Sequence, residues 1–180
     1  MAQVHSIIRS LLLVAALVMP AALCAQGIDR FAGDYAGSAD FIYDGEMQRR
    51  DMSTTIEPTK QGFVLTWTSV SYKAEGRTKA KTYRIEFVPS ARENIYQSAM
   101  KQNLFGKEVP LDPLQGEPFV WARLEGDTLS VFSLFINETG EYEIQEFHRI
   151  LVDEGLALRF LRIHNGAPEK EITTLLRKQD

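Results

Sequence analysis

The fold this sequence predicts is an all-β, antiparallel up-and-down barrel of eight to ten strands, with a two-sheet β-sandwich as the alternative. Three observations lead there. Beyond the first 25 residues, apolar and polar side chains alternate with a period of two, the pattern of strands with one buried and one wet face. Glycine-bearing turn sequences, among them Asp44-Gly45, Glu75-Gly76, Glu125-Gly126-Asp127, Asp153-Glu154-Gly155 and Asn165-Gly166, punctuate these runs at hairpin spacing. No stretch after the leader carries an amphipathic helical pattern longer than two turns. A long antiparallel sheet with one apolar face must fold onto a second sheet or close on itself. Consecutive hairpins of similar length favour closure, which also removes exposed edges.

The N-terminus reads differently from the rest. His5 and Arg9 precede an apolar run over 11–25 that ends in small residues, the layout of a secretory signal peptide. That run is 15 residues, short of the ~20 needed to span a bilayer as a helix. Cleavage is expected after Ala25, leaving 26–180 as one barrel domain in a bacterial periplasm or outside the cell. Cys24 is the only cysteine; Leu23 before it and Ala21 make a poor lipidation motif, so no lipid anchor is expected. The exported chain then has no cysteine and no disulfide. Losing Arg9 lowers Lys+Arg from 20 to 19 against 24 Asp+Glu, so the formal charge moves from −4 to −5. A mildly acidic domain without a basic block argues against nucleic acid and anionic membrane surfaces as partners.

The strands follow in order. Tyr35, Gly37, Ala39, Phe41 and Tyr43 alternate with polar or small residues over 33–43, and a partner strand is expected over 47–57. Phe63, Leu65 and Trp67 mark 63–72, and Tyr83, Ile85 and Phe87 mark 78–88. Shorter runs at 94–101 and 118–124 lead to 128–136, 141–152, 156–164 and 170–178. Between them, 107–118 holds Pro110, Pro113 and Pro118, which exclude a central strand and predict a long surface loop at one barrel mouth.

Phe31-Ala32-Gly33-Asp34-Tyr35, after a short polar turn, resembles the opening of a calycin, the group of lipocalins and fatty-acid-binding proteins. There a Gly-x-Trp motif begins the first strand and its aromatic plugs one end of the barrel; Tyr35 stands at that position here. The resemblance implies an arginine on a late strand against that aromatic, with Arg159, Arg162 and Arg177 all candidates. It also implies a small barrel holding an apolar ligand.

Nothing in the sequence carries an established catalytic motif: no Gly-x-Gly-x-x-Gly, P-loop, Gly-x-Ser-x-Gly or His-Glu-x-x-His occurs. His148 and His164, the histidines left after processing, are read as no metal or haem site, and no cofactor is expected. One polar cluster interrupts a strand face: Glu146 and His148 lie between Tyr142, Ile144, Ile150 and Val152 at every second position. A three-residue turn at Asp153-Glu154-Gly155 would pair His148 with Phe160 and Glu146 with Arg162, placing all three polar groups at one end of the lumen. The expected ligand-binding set is therefore Tyr35, Trp67, Tyr83, Trp121, Glu146, His148 and Arg162. The leading functional reading is an exported lipocalin-like protein that binds a small apolar or amphipathic ligand without catalysis. A filled barrel that docks to an envelope protein, or inhibits an enzyme, is the alternative. A barrel enzyme using Glu146 and His148 is more remote. Intact mass of the native exported protein is expected to show a chain beginning at Gln26 with no lipid; a diacylglycerol adduct on Cys24, or a retained leader, would contradict it.

Overall fold

The computed structural model describes residues 25–72, 77–99, 101–102, 108–109 and 111–180. The expected leader, apart from its last residue, lies outside these residues, as do Cys24 and part of the proline-bearing loop. A short helix, α1 (Ala25–Asp29), leads into β1 (Gly33–Tyr43), β2 (Glu46–Thr59), β3 (Gly62–Tyr72) and β4 (Thr78–Pro89). Next come β5 (Ile95–Ser98) and two short strands, β6 (Lys101–Gln102) and β7 (Glu108–Val109), which pair only with each other. A 3-10 turn at Pro113–Gln115 precedes β8 (Phe119–Glu125), β9 (Thr128–Ile136), β10 (Tyr142–Val152), β11 (Gly155–His164) and β12 (Ala167–Lys178).

Ten of these strands form one closed antiparallel barrel in the order β1-β12-β11-β10-β9-β8-β5-β4-β3-β2. Every strand expected from the period-two pattern is present, and pairing of β1 with β12 decides for the barrel over the sandwich. The proline-bearing stretch contributes no strand to the barrel among the described residues. Asp112 caps the 3-10 turn by accepting from the Leu114 amide, with Pro113 at the first helical position, where a missing N–H costs nothing. Among the described residues, no helix is long and apolar enough to cross a membrane, a statement that concerns helices alone.

One end of the barrel is solid. Phe63 stacks on Phe87 at 5.0 Å between ring centroids and meets Tyr96 edge-on at 5.2 Å. Around them pack Ile28, Phe31, Tyr35, Ile56, Leu65, Leu124, Leu129, Leu156 and Leu176, all buried. Each such side chain contributes roughly 1.5–3 kcal/mol by leaving water. Ile28 from α1 and Phe31 just after it stopper this end. The Tyr35 hydroxyl donates to the Phe31 carbonyl oxygen at 3.0 Å, tying the stopper to β1. Tyr35 thus plugs the barrel end as the resemblance implied, but none of the three arginines faces it. Its cross-strand partner is Lys178, whose Nζ lies 6.0 Å from the ring centroid. Arg159 and Arg177 point outward to Glu171 and Glu154, and Arg162 lies at the other end of the barrel.

Closure depends on close backbone approach. At Gly37 on β1, a Cβ would sit 2.3 Å from the Leu175 carbonyl oxygen of β12, a distance no side chain tolerates. Beside this contact, Thr174 Oγ1 donates to the Ser38 carbonyl oxygen at 2.6 Å and the Gln179 amide donates to the Asp34 carbonyl oxygen at 2.8 Å. Gly37→Ala is expected to push the β1–β12 seam apart and cost roughly 1–3 kcal/mol, the range for inserting a methyl into filled space. Urea unfolding monitored by circular dichroism checks it; an unchanged midpoint would mean that the seam bears no strain.

Candidate functional site

Toward the other end, the inward-facing residues stop filling the lumen. A cavity of about 280 Å³ opens there. Trp67 and Tyr83, paired across β3 and β4, stack at 5.1 Å. Trp67 also meets Phe147 of β10 at 5.5 Å, and Phe147 meets Phe160 of β11 at 4.8 Å. These four rings, with Leu158, Met52 and Ile172, make the apolar part of the wall. Tyr83 is 46% exposed although its ring faces inward, because the cavity opens to solvent on its side.

Among the described residues, the same wall carries six cations, Arg50, Lys79, Lys81, Arg149, Arg162 and Lys170, and no carboxylate. Arg149 is the extreme case at 1% exposure. Its guanidinium carbon lies 5.9 Å from the Trp67 ring centroid and 5.6 Å from that of Phe147. Nε and Nη1 are buried without a hydrogen-bond partner. Burial pushes its pKa down to about 10. Aromatic faces attract a guanidinium by about 0.5–2 kcal/mol. The desolvation of a buried ion costs several, so the rings offset only part of it. Nearer the mouth the cations differ. Arg162 is paired with Glu169 at 2.9 Å, and its Nη2 donates to the Tyr43 hydroxyl at 3.0 Å. Lys170 Nζ lies over the rings of Phe41 and Tyr43 at 4.2 and 4.3 Å. The pKa of Arg50 is lowered, first by burial and then by the charge of Arg162. Chemically, this is a recess with aromatic walls and an unneutralised positive charge.

Of the residues expected from sequence, Trp67, Tyr83 and Arg162 line this cavity, and Tyr35 lies in the solid end below it. Trp121 faces outward, stacked on Phe132 at 5.1 Å and against Phe119 at 5.7 Å. Glu146 and His148 also face outward, so the expected grouping of Glu146, His148 and Arg162 at one end of the lumen is overturned. The cause is one residue of register. The turn between β10 and β11 has two residues, Asp153 and Glu154, so Val152 pairs with Gly155, His148 with Arg159 and Glu146 with Leu161. A one-residue slip exchanges the faces of a whole strand. Gly155 makes this register feasible: its φ is 145°, and a Cβ there would lie 2.2 Å from the Leu176 carbonyl oxygen. The shift also separates two arginines that the three-residue turn would have set opposite each other. Arg149 now points inward against Leu158, while Arg159 points outward and donates to Glu171 at 2.7 Å. On the outer face, His148 Nδ1 lies 2.9 Å from Ser130 Oγ, and Nε2 lies 3.0 Å from Glu146 Oε2.

Sequence reasoning missed Arg149, Arg50 and Phe147. The signal was present in β11, where Leu156, Leu158 and Phe160 make one apolar face that can only oppose Leu151, Arg149 and Phe147 when the turn has two residues. Among the described residues, no group of three His, Cys, Asp or Glu side chains could hold a metal ion. No model of a known protein family matches the sequence, and no curated protein matches it.

Because Arg149 is charged and unpartnered at any pH below about 10, its burial works against folding across the whole physiological range. Arg149→Met is expected to raise the stability of the ligand-free protein by roughly 1–4 kcal/mol, as for other buried charges replaced by apolar groups of similar length. Thermal and urea unfolding of both forms in low-anion buffer check the sign. A less stable variant would mean that the guanidinium has a structural partner.

Proposed function

We propose that this chain is an exported, lipocalin-like carrier whose lumen binds a small amphipathic anion without chemical conversion. The observation that carries the reading is Arg149: a buried guanidinium, flanked by Trp67 and Phe147, lining a cavity whose wall, among the described residues, holds no carboxylate. A buried charge is normally paired, and here the partner is supplied by the ligand. The head group lies against Arg149, and the apolar part lies along Trp67, Tyr83, Phe147 and Phe160. The cavity volume is at the small end of ligand pockets, which fits a single aliphatic chain or a compact aromatic acid. The closed antiparallel barrel supports a calycin-like reading, although its ten strands exceed the eight of lipocalins. Export to the periplasm or beyond follows from the leader pattern and is part of the same proposal.

The docking alternative draws on the outward strip of Phe119, Trp121 and Phe132. It leaves the unpaired Arg149 without a purpose and therefore ranks second. Glu146 and His148 take no part in either reading.

Titration calorimetry with dodecanoate and dodecanol separates the charge from the chain. Charge-assisted hydrogen bonds of about 1.5–3 kcal/mol predict that dodecanoate binds at least about tenfold tighter than dodecanol. Arg149→Met should erase that preference while retaining the barrel circular dichroism. Equal affinity for acid and alcohol in the native protein, or a preference that survives in Arg149→Met, would refute the reading.

A further inference from the structure

The cations of the lumen lie at two depths. Trp67 and Tyr83 are paired with each other and, through Thr54, belong to one cross-strand row; the Arg149 guanidinium lies against that row. Two residues nearer the mouth on each strand comes the row Met52–Ser69–Lys81, and two further comes Arg50–Ser71–Lys79. At a rise of about 3.3 Å per residue, the outer row is ~13 Å along the strands from the row of Trp67. Positive charge thus recurs at the far end of the recess.

Arg50, Lys79 and Lys81 of this outer group take part in no ion pair among the described residues. The Nε of Arg50 is buried without a hydrogen-bond partner. Of the carboxylates at this end among the described residues, Glu169 and Glu143 sit against Arg162, and Asp51 accepts from the Tyr72 hydroxyl on the outer side. Repulsion from Arg162 adds to burial in lowering the pKa of Arg50. A ligand with one charged end would neutralise Arg149 and leave this outer group uncompensated.

Resting on the lumen as an anion site, we infer that the ligand is a two-ended dianion: one anionic group meets Arg149, an extended apolar linker follows the aromatic wall, and a second anionic group meets Arg50, Lys79 and Lys81 at the mouth. An α,ω-dicarboxylate has this chemistry. The experiment is titration calorimetry at low ionic strength with dodecanedioate and with its monomethyl ester, which has nearly the same length and one charge fewer. With the added exposed ion pairs at the mouth, the diacid is expected to bind about fivefold tighter than the ester, beyond the statistical advantage of two equivalent ends. Added salt should shrink that ratio. In the Lys79→Gln/Lys81→Gln double variant, with both substitutions at exposed positions, the ratio should fall toward one. Diacid and ester binding with equal affinity would overturn the two-ended ligand while leaving the lumen reading intact. A ratio that persists in the double variant would also overturn it. Failure of both compounds to bind would overturn the lumen reading as well.

Discussion

Strand β12 is held at backbone contact distance on both sides. Gly37 of β1 meets the carbonyl of Leu175, and Gly155 of β11 meets the carbonyl of Leu176. A side chain at either position would occupy the space of the neighbouring peptide. The first approach closes the sheet into a barrel, and the second sets the phase of β11. Through the ladder, that phase fixes β10: Phe147 faces Phe160 and Arg149 faces Leu158, all toward the axis. The lumen is thus decided at the seam, several strands away from the residues that give it chemical character.

Inside, the barrel divides by side-chain volume and then by charge. Near α1 the rings of Phe31, Tyr35, Phe63, Phe87 and Tyr96 fill the cross-section, so that end needs no ligand to be stable. Farther up, Thr54, Ser69 and Ser71 take the inward positions of β2 and β3, and space opens. The chain carries a net charge of −4, yet among the described residues every charged side chain that lines the cavity is a cation. Glu143 and Glu169 sit against Arg162, and the other lining cations concentrate positive charge in a recess with low-dielectric walls. Such an arrangement focuses field lines into the opening and draws anions toward it.

On the proposed reading, Arg149 trades stability for binding. A barrel selected only to fold would place an apolar side chain between Trp67 and Phe147, which would pack as well without the desolvation penalty. Retaining a guanidinium there makes sense when an anion completes it, since a ligand that binds only the folded form returns stability in proportion to its affinity. The flanking rings hold the cation in place at a modest electrostatic gain.

Much of the fold was legible in the sequence because it rests on local chemistry. Period-two alternation and turn spacing outlined eight to ten strands, turn glycines marked the hairpins, and the position of Tyr35 indicated the plugged end. Trp67 and Tyr83 were found as cavity residues because β3 and β4 alternate without ambiguity. The phase of β10 was not legible. Ile144, Ile150 and Val152 on one face compete with Phe147 and Leu151 on the other, so its own hydrophobicity favours neither. Two-residue and three-residue turns differ by a single position, and that position exchanges Glu146 and His148 for Arg149 in the lumen. The choice belonged to β12, whose backbone admits Gly155 beside it and Leu156 beneath it only in one register. Alternation along a strand is a property of the sequence, but which face turns inward is set by the strands packed beside it.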